Sequence, residues 1–373
     1  MNIGFEAKRV FHNKTGLGNY SRDLIRILST YYPENKYFLY NPKPSKETLF
    51  VPNENNVFEK SPSSPFYKKF KNIWRQKGVL SDLEKDKIQI FHGLSGEIPV
   101  GLRKKNIKSI VTIHDLIFVS YTHLYSFFDR KIHFYKFKKA AQNADLIIAI
   151  SEQTKSDIVN FLNINPDKIH VIYQGCNDAF KKTYTDSKKD IVAKKFNLPK
   201  HFILNVGTLE ERKNALTIVK AIKDLEVNLV LIGKETTYAN QIHEYIKANN
   251  LQDRVHFLKG ISTEELAIIY QLATIFVYPS VFEGFGIPII EALYSKTPVI
   301  TNKYGVFPEA GGPDSLYIEP YDTIELSEKI KLILTDETLA TDISEKGLEF
   351  VQQFNDKHIA KSFHKLYENI DNY

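Results

Sequence analysis

Short apolar segments rich in β-branched residues alternate with longer amphipathic stretches along most of the chain. The apolar segments are KSIVTIHDLI, ADLIIAIS, KIHVIYQG, HFILNVG, VNLVLIG, RVHFLKG and TIFVYPS. This alternation is typical of βα units built around parallel sheets. The segments are almost continuously apolar, as expected for strands covered by helices on both faces. The sequence therefore predicts an α/β fold with parallel sheets.

The chain is too long for one ordinary core. It has 373 residues, whereas single cores stop growing near ~250–300 residues. We expect two domains and place their boundary where the sequence becomes polar and lysine-rich, in KKTYTDSKKDIVAKKFNLPK. The predicted domains are 1–180 and 181–356, followed by a capped final helix at 357–373.

The composition is that of a soluble globular protein, with 43% hydrophobic and 25% charged residues. No apolar run is long enough to cross a bilayer. The N-terminal MNIGFEAKRVF lacks the features of a signal peptide and is interpreted as a first strand. The single cysteine, Cys176, excludes an internal disulfide framework and fits a reducing compartment, so we expect a cytoplasmic protein.

The net charge of +6 is unevenly distributed along the chain. Residues 1–185 contain 29 Lys and Arg against 17 Asp and Glu, whereas residues 186–373 contain 21 against 27. A basic half is suited to nucleic acid, anionic lipid or a phosphorylated substrate, and charge alone does not choose among them.

The stretch VFEGFGIPIIE, at 281–291, combines a glycine-rich loop with the predicted start of a helix. Gly284 and Gly286 precede a proline, which is favoured in the first helical turn. The backbone N–H groups of Phe285, Gly286 and Ile287, together with the helix dipole, suit a phosphate group. The loop therefore predicts an anion site between a strand and a helix.

Two carboxylates, Glu283 and Glu291, flank this predicted anion site. Beside a phosphate they are suited to sugar hydroxyls; alone, they would more often be a solvated glutamate and a partner of the helix dipole. A second loop, GTLEERKN, places Arg212 and Lys213 after Gly207 at the carboxyl end of a predicted strand. Ligands bind at that edge of a parallel sheet. The two cations are candidates to neutralise a diphosphate, although such a pair alone is more often a solvated turn.

The chain resembles the retaining glycosyltransferases of family 4, which have the GT-B fold. The resemblance covers nearly the whole chain and depends on TGLGNYSRDL, VTIHDLIF, ADLIIAISE, VGTLEERKN, VHFLKGIS, YPSVFEGFGIPIIEALYSKTPVI and FPEAGG. The E-x7-E pattern is the most specific of these. The resemblance implies two Rossmann-like parallel-sheet domains facing a central cleft, with the acceptor on the first and the nucleotide sugar on the second. It also implies that the C-terminal helix crosses back to the first domain.

The resemblance assigns catalytic roles to Glu283, His114, Lys213 and Arg212. Glu283 corresponds to the glutamate near the transferred sugar, and His114 to a histidine above that sugar. Arg212 and Lys213 correspond to the pair beside the diphosphate, and Glu291 to the glutamate that holds the ribose. His114 alone would be interpreted as a structural histidine at a strand end.

Further donor-binding residues also follow from the resemblance. Gly16 corresponds to a glycine that lets the first loop approach the donor phosphates. Lys259 and Gly260 lie in the segment expected near the base. Many members have an arginine where this chain has Thr208, which places more of the neutralisation on Arg212 and Lys213. The segment FPEAGG either closes the donor pocket or is an ordinary glycine-rich loop.

The resemblance implies transfer of a hexose with retention of configuration. We expect no metal or other cofactor, because no Asp-x-Asp motif occupies a donor-site position and paired cations can stabilise the leaving diphosphate. The co-substrate is GDP-mannose by the resemblance of the GTLEERKN loop, with a UDP-sugar as the alternative. A nucleotide-sugar epimerase and a non-enzymatic, degenerate transferase that acts as a binding subunit stay open. No nucleic acid partner is expected.

Two basic and aromatic stretches in the first half predict peripheral contact with an anionic membrane and a lipid-linked or polysaccharide acceptor. Buried rings with solvated lysines are the alternative. The stretches are FYKKFKNIWRQK and YSFFDRKIHFYKFKK, with the candidate residues Lys68, Lys69, Lys71, Trp74, Arg130, Lys131 and Lys138.

Overall fold

The computed structural model describes residues 1–44, 49–51, 55–122 and 125–372. The chain divides into two compact units. Unit 1 consists of Met1–Gln174 and Asn355–Tyr373, and unit 2 of Gly175–Phe354. The division after Gln174 falls earlier than the boundary expected from the sequence, because residues 175–180 belong to unit 2, where the Phe180 ring lies edge-on to the Tyr270 ring at 5.5 Å. The acceptor and donor roles of the two domains stay predictions.

Unit 1 is built on a parallel sheet. Its strands are β1 Asn2–Glu6, β2 Lys36–Tyr40, β3 Val57–Lys60, β4 Ile90–Gly93, β5 Lys108–Ile113, β6 Leu146–Ala149 and β7 Ile169–Val171. Within the described ranges, seven strands lie in the order β3-β2-β1-β4-β5-β6-β7, and all of their pairings are parallel.

Helices connect these strands, as the alternating pattern predicts. They are α1 Lys8–His12, α2 Gly16–Tyr31, α3 Pro65–Lys69, α4 Lys71–Ile73, α5 Val79–Lys85, α6 Ile117–Ser120, α7 Phe127–Asn143 and α8 Glu152–Leu162. A π-helical turn, Trp74–Gly78, joins α4 to α5.

Unit 2 repeats the same plan. Its strands are β8 Phe202–Val206, β9 Asn228–Ile232, β10 Val255–Leu258, β11 Ile275–Tyr278, β12 Val299–Asn302 and β13 Leu316–Ile318. Its helices are α9 Asp186–Phe196, α10 Ala215–Ala221, α11 Ala239–Ala248, α12 Thr263–Leu272, α13 Ile287–Tyr294, α14 Phe307–Gly311, α15 Thr323–Thr335 and α16 Glu337–Val351. The described strands form one parallel sheet in the order β10-β9-β8-β11-β12-β13.

The core of unit 2 fixes the loops that follow β8 and β11. Ile203, Leu229 and Ile275 are fully buried in neighbouring strands and belong to one apolar cluster with side chains of the covering helices. Burying a side chain of this size stabilises a fold by roughly 1.5–3 kcal/mol. The strand ends are therefore a rigid base for residues at the carboxyl edge of the sheet.

The last helix, α17 Asp356–Glu368, packs on unit 1. Ile359, Phe363 and Leu366, which the sequence places on one helical face, are buried in the cluster that also contains strand residues of β1 and β2. The Asn355 side chain caps the helix by accepting from the backbone N–H of His358. The predicted final helix and its return to the first domain are confirmed. In the described part of the chain, no helix is long and apolar enough to cross a membrane.

Candidate active site

Two loops of unit 2 meet at the carboxyl edge of its sheet. One follows β8 and carries Arg212 and Lys213; the other follows β11 and leads into α13. The loops adjoin because β8 and β11 are neighbouring strands. The backbone N–H of Val281 donates to the carbonyl of Arg212 at 2.9 Å. The Asn214 side chain donates to the carbonyl of Pro279 at 3.3 Å. These bonds bring together residues that are 65 or more positions apart in sequence.

The Glu283 carboxylate is the centre of this site. Its Oε1 accepts from the Arg212 guanidinium at 2.8 Å, from the Tyr278 hydroxyl at 2.9 Å and from the Ser280 hydroxyl at 2.8 Å. The Lys213 ammonium donates to the same oxygen. No bond from a described residue reaches Oε2, so this oxygen is available to a substrate hydroxyl. One carboxylate oxygen is thus fixed by the protein, and the other is left for a ligand.

Glu283 is ionised over the whole physiological pH range. Burial raises the pKa of its carboxyl, but the charges of Lys213 and Arg212 outweigh burial and hold the pKa at about 2. Burial and the neighbouring Arg212 lower the pKa of Lys213, and the Glu283 charge opposes them. The Lys213 ammonium also lies 4.9 Å from the centre of the Tyr278 ring. The arrangement is an ion cluster of fixed geometry.

Glu291 is the fifth residue of α13 and lies at the start of its second turn. Its side chain is half-buried, and its Oε2 accepts from the Tyr270 hydroxyl at 3.1 Å. None of the ion pairs between described residues includes Glu291. Burial raises the pKa of its carboxyl to about 8, against a small opposing effect of the Tyr270 hydroxyl. This carboxyl is therefore largely protonated at pH 7.

The start of α13 has the predicted loop-to-helix form. Gly286 precedes the helix with φ of 117°, and a Cβ there would lie 3.3 Å from a methyl group of Ile289 and 3.4 Å from Cβ of Ala310. A side chain at this position is strained. Pro288 has no N–H, and the N–H of Ile289 donates to the carbonyl of Gly286 at 2.9 Å. The N–H groups of Gly286 and Ile287 are the ones at the helix start that suit an anion.

Phe285 and Gly284 complete this loop. The Phe285 side chain is only 2% exposed and lies edge-on to Phe354, with ring centroids 5.4 Å apart. It anchors the loop in the core, so only its backbone is a candidate ligand group. Gly284 links this anchor to Glu283.

The remaining predicted residues of unit 2 lie near the same edge of the sheet. Gly207 follows β8 with φ of 151°, and a Cβ there would be 3.6 Å from Cδ of Lys213. Lys259 follows β10 and pairs with Glu235 at 2.7 Å, while its side chain is 70% exposed. The Cβ position of Gly260 has no atom within 4 Å. The strand β9 lies between β10 and β8, so Lys259 and Gly260, in the segment expected near the base, are separated from the ion cluster around Glu283.

His114 and Gly16 belong to unit 1. His114 is 8% exposed, and its Nε2 is 2.9 Å from the carbonyl oxygen of Leu94, so this nitrogen carries a hydrogen. The Tyr20 ring meets it edge-on at 4.6 Å. Burial lowers the pKa of His114 to about 4, which makes the imidazole neutral. Gly16 begins α2, and its Cβ position has no atom within 4 Å, so the space beside it is open.

Three polar residues of the site were not found from the sequence. Tyr278 and Ser280 flank Pro279 at the end of β11, in a segment that was interpreted only as a strand. The sequence signal that could have identified them is the pair of hydroxyl side chains at the end of the apolar segment TIFVYPS. Tyr270 lies inside α12, in the segment IIYQL, and nothing local marks it.

The membrane prediction is wrong for Trp74. Its ring is 1% exposed, and its Nε1 donates to Asp82 at 2.7 Å, so it is a core residue. In the same segment, Lys68 and Lys69 are exposed and Lys71 is half-buried. The basic side chains, but not the indole, are available to a partner.

The second basic stretch forms α7. Lys131 is exposed, with its ammonium 4.4 Å from the centre of the Phe127 ring. Lys138 is half-buried and lies 5.7 Å from the Phe134 ring. The Arg130 guanidinium donates to the carbonyl of Phe118 at 3.1 Å. Arg130 is thus partly committed to holding α7 in place.

Two families of sequences match this chain. The family described as glycosyltransferase family 4 matches residues 21–180, and the family described as glycosyl transferases group 1 matches residues 186–350. The two matches correspond to units 1 and 2 and leave only short segments outside. These two matches, the two parallel-sheet units and the site at the carboxyl edge of the unit 2 sheet together define the class of protein. The chain belongs to the family 4 glycosyltransferases, with the GT-B fold.

Mannosyltransferases are among the curated relatives. The O-antigen chain mannosyltransferase RfbU of Salmonella typhimurium is 32% identical over 226 residues, which are 60% of each chain. The O-antigen chain mannosyltransferase B of Escherichia coli is 22% identical over 375 residues, which are 95% of this chain and 96% of the relative. The match to RfbU therefore spans less than two thirds of that protein.

Solved structures share the fold. Sucrose-phosphate synthase from Thermosynechococcus elongatus has a TM-score of 0.82 at 23% identity, covering 100% of this chain and 99% of that one. The Anabaena protein Alr3699/HepE, solved in complex with UDP-glucose, has a TM-score of 0.78 at 16% identity, covering 99% of this chain and 100% of that one. At these identities the likeness concerns the fold alone.

Proposed function

We propose that the protein transfers a hexose from a nucleotide sugar to a lipid-linked or polysaccharide acceptor with retention of configuration. The observation that carries the proposal is the Glu283 carboxylate, fixed by Arg212 and Lys213 beside the start of α13. The relatives named as O-antigen mannosyltransferases favour mannose from GDP-mannose as the donor. The fold neighbour with UDP-glucose supports a UDP-sugar as the alternative.

In this proposal the donor diphosphate lies between the first turn of α13 and the two cations. Lys213 and Arg212 stabilise the charge that grows on the leaving group, as does the helix N-terminus. The Oε2 atom of Glu283 accepts a hydroxyl of the transferred sugar. Glu291, with its Oε1 not held by a described residue, accepts the ribose hydroxyls.

The proton of the acceptor hydroxyl has to be taken up by a group other than Glu283. A carboxylate with a pKa of about 2 is a weak base at neutral pH. We assign the proton to the departing β-phosphate oxygen. The acceptor oxygen then bonds to C1 of the sugar on the face from which the phosphate oxygen leaves, as the C1–O bond to phosphate breaks.

Paired cations make a metal unnecessary in this scheme, because they supply the same electrostatic stabilisation. Among the described residues, no group of three His, Cys, Asp or Glu side chains is arranged to hold a metal ion. Metal independence is tested by retention of transfer in EDTA.

Unit 1 is proposed to contact an anionic membrane surface through exposed apolar side chains interleaved with lysines. On α7, Phe128 is 76% exposed, Tyr135 65%, Phe127 58% and Ile132 53%. Such residues are favoured in the headgroup region, and each nearby basic residue adds roughly 1 kcal/mol at an anionic surface. Co-sedimentation with phosphatidylglycerol vesicles at low salt, and its loss with neutral vesicles or at high salt, is the expected result.

Thermal-shift measurements with nucleoside diphosphates, followed by transfer assays, test the proposal. We expect GDP to raise Tm and labelled mannose to pass from GDP-mannose to a lipid-linked glycan. A shift with UDP alone favours the UDP-sugar alternative. Conversion of the donor to its epimer favours an epimerase, and binding without turnover favours a binding subunit.

A further inference from the structure

A buried chain of polar side chains connects the C-terminal helix with His114 in unit 1. His92, near the end of β4, and Thr112, in the neighbouring strand β5, are both fully buried. The Nδ1 atom of His92 lies 2.8 Å from the Tyr367 hydroxyl of α17, and its Nε2 lies 2.8 Å from Oγ1 of Thr112. The core of unit 1 therefore contains an imidazole that is hydrogen-bonded at both of its nitrogens.

The chain continues from Thr112 to Tyr20, in the motif TGLGNYSRDL. Tyr20 lies on α2 and is 7% exposed. Its hydroxyl is 3.4 Å from Oγ1 of Thr112, and its ring meets the His114 ring edge-on, with centroids 4.6 Å apart. Of this motif, only Gly16 corresponds to a donor-site residue, yet Tyr20 contacts the histidine that is assigned to the sugar.

The imidazole of His92 is neutral, because burial lowers its pKa to about 3. A neutral imidazole has one N–H donor and one lone pair. If its Nδ1–H donates to Tyr367, the Thr112 hydroxyl donates to its Nε2; if Tyr367 donates to its Nδ1, its Nε2–H donates to Thr112. Both ring nitrogens are satisfied in either arrangement, so the ring is held in one orientation.

Stability alone does not account for this polar chain. Burying an imidazole or a hydroxyl costs free energy that its hydrogen bonds offset, and apolar side chains of the same shape can be equally stable. The surroundings are apolar, since the rings of Phe5 and Phe363 lie with centroids 5.7 and 5.9 Å from that of His92. What a satisfied polar network adds to an apolar core is a fixed geometry.

His114 itself is held on several sides. Its Nε2–H donates to the Leu94 carbonyl at 2.9 Å, and the Thr154 hydroxyl donates to its backbone carbonyl at 3.1 Å. Among the described residues, no hydrogen bond reaches its Nδ1, so this lone pair is left for a ligand hydroxyl. The direction of the lone pair depends on the plane of the imidazole ring, against which the Tyr20 ring lies.

We propose that Tyr20 is a positioning residue that sets the plane of the His114 imidazole for the transferred sugar. Thr112, His92 and Tyr367 hold the Tyr20 hydroxyl in place, so that α17 acts on His114 through Tyr367. The inference rests on the glycosyl transfer proposed above and adds positioning residues to it.

Substitutions that remove a single hydroxyl test the polar chain. Thr112→Val and Tyr367→Phe keep the shape of the side chain, whereas Thr112→Ser keeps the hydroxyl. Tyr37→Phe is the matched control, because Tyr37 lies in the same core cluster as Tyr367. Its hydroxyl donates instead to the backbone carbonyls of Leu28 and Tyr32, at 2.9 and 3.0 Å.

Steady-state transfer assays measure the effect of these substitutions on turnover. Thr112→Val and Tyr367→Phe should lower kcat by about threefold to tenfold, because a misplaced contact to the reacting sugar slows the chemical step. Thr112→Ser should recover most of the turnover lost in Thr112→Val, and Tyr37→Phe should stay within about twofold of the wild type. GDP affinity should be the same in all of them, because GDP carries no transferred sugar.

A double-mutant cycle with His114→Ala separates positioning from a loss of fold stability. If the Tyr367 hydroxyl acts through His114, Tyr367→Phe should change kcat by less than about twofold once His114 is replaced by alanine. A purely structural role would lower kcat by the same factor in both backgrounds. Equal factors in the two backgrounds would overturn the proposal.

Side-chain nitrogen chemical shifts of protein labelled on histidine follow His114 without turnover. We expect the neutral Nε2–H form in the wild type, with the signals identified by their absence in His114→Ala. Thr112→Val and Tyr367→Phe should shift the His114 signals, and Tyr37→Phe should leave them in place. His114 signals that are unchanged in both Thr112→Val and Tyr367→Phe would also overturn the proposal.

Transfer and GDP binding, measured on the same samples, separate this inference from the proposed function. If the wild type transfers a hexose but Thr112→Val and Tyr367→Phe have the kcat of Tyr37→Phe, only the positioning inference fails. If the His114 signals respond as expected but the wild type neither binds a nucleoside diphosphate nor transfers a hexose, the transfer function fails.

Discussion

The two glutamates of the E-x7-E pattern are chemically alike but lie in opposite environments. Glu283, in the loop, is bound by two cations and two hydroxyls, and its pKa is about 2. Glu291, on α13, is bound by one hydroxyl and no described cation, and its pKa is about 8. Burial favours the protonated form of both carboxyls, but only Glu283 has charges that overcome it.

This difference separates a fixed charge from a group that can gain or lose a proton. Fixed, pre-oriented charge is suited to a reacting centre, because it stabilises developing charge without reorganisation. A carboxyl that titrates near neutral pH is suited to a binding contact that is linked to proton release. The comparison therefore assigns turnover to the Glu283 region and donor binding to the Glu291 region.

The largest expected effect belongs to Lys213. Lys213→Ala should lower kcat/KM by about 10²-fold or more, because it removes a cation from Glu283 and from the leaving diphosphate. Steady-state transfer assays measure the effect. Lys220→Ala, on the exposed side of α10, is the matched control and should retain wild-type kinetics. A Lys213→Ala enzyme with normal kcat/KM would remove the Glu283 cluster from catalysis.

Next in size is the pH dependence of nucleotide binding. If ribose hydroxyls bind the ionised Glu291 carboxylate, binding lowers its pKa and releases a proton, so affinity rises with pH until about 8 and then levels. Between pH 7 and 9, GDP affinity should increase by about tenfold in the wild type. Calorimetry in buffers of different ionisation enthalpy detects the proton. Glu291→Gln should show a flat profile, and a wild type as flat as this variant would refute the linkage.

Tyr278→Phe should have a smaller effect on turnover. It removes a hydroxyl bond to Glu283 but keeps the ring beneath Lys213, so kcat should fall about threefold to tenfold. GDP affinity should not change, because Tyr278 is assigned no ribose contact. Phe276→Leu, at a buried position two residues earlier in β11 whose ring is stacked on that of Tyr278, tests whether loss of packing alone gives the same result. A fall in kcat of the same size there would assign Tyr278 a packing role.

The smallest effects concern stability, and they have opposite signs. The low pKa of Glu283 contributes stability to the fold that is fully present above pH ~4.5 and is lost as the pH falls toward 2. The raised pKa of Glu291 contributes stability that is fully present below pH ~4.5 and is lost as the pH rises through 8. At pH 8, Glu283→Gln should lower Tm by a few degrees, because it removes the carboxylate partner of Lys213 and leaves Arg212 paired with Glu210 alone. Glu291→Gln should raise Tm at pH 8 relative to the wild type. Shifts of the same sign in both variants would contradict the two environments.

Much of the fold could be predicted because strand, loop and helix signals are local. The segments KSIVTIHDLI, HFILNVG and TIFVYPS became β5, β8 and β11, and the glycine-rich loop became the start of α13. The strands β12 and β13 and the strand order depend on pairing between distant segments, which the local pattern does not specify. The division after Gln174 was not located for the same reason, since it depends on the packing of Phe180 against Tyr270, a residue distant in sequence.

The candidate site was predictable only in part. The motif identified Glu283, Glu291, Arg212 and Lys213, but not which atoms meet. Arg212, Lys213, Tyr278 and Ser280 all donate to one oxygen of Glu283 because β8 and β11 are neighbouring strands, which the sequence does not specify. Trp74 was misassigned because an aromatic residue among lysines has the same local pattern whether its ring is exposed or buried.

The division of roles between the two glutamates is tested most directly by measuring GDP affinity and turnover in Glu283→Ala and Glu291→Ala. Lys220→Ala serves as the control for both measurements. We predict that Glu283→Ala keeps GDP affinity within about twofold and loses turnover by about 10²-fold or more. Glu291→Ala should weaken GDP binding by about tenfold and keep most of its turnover at saturating donor. Unchanged GDP affinity in Glu291→Ala, or the same profile in both variants, would contradict the account.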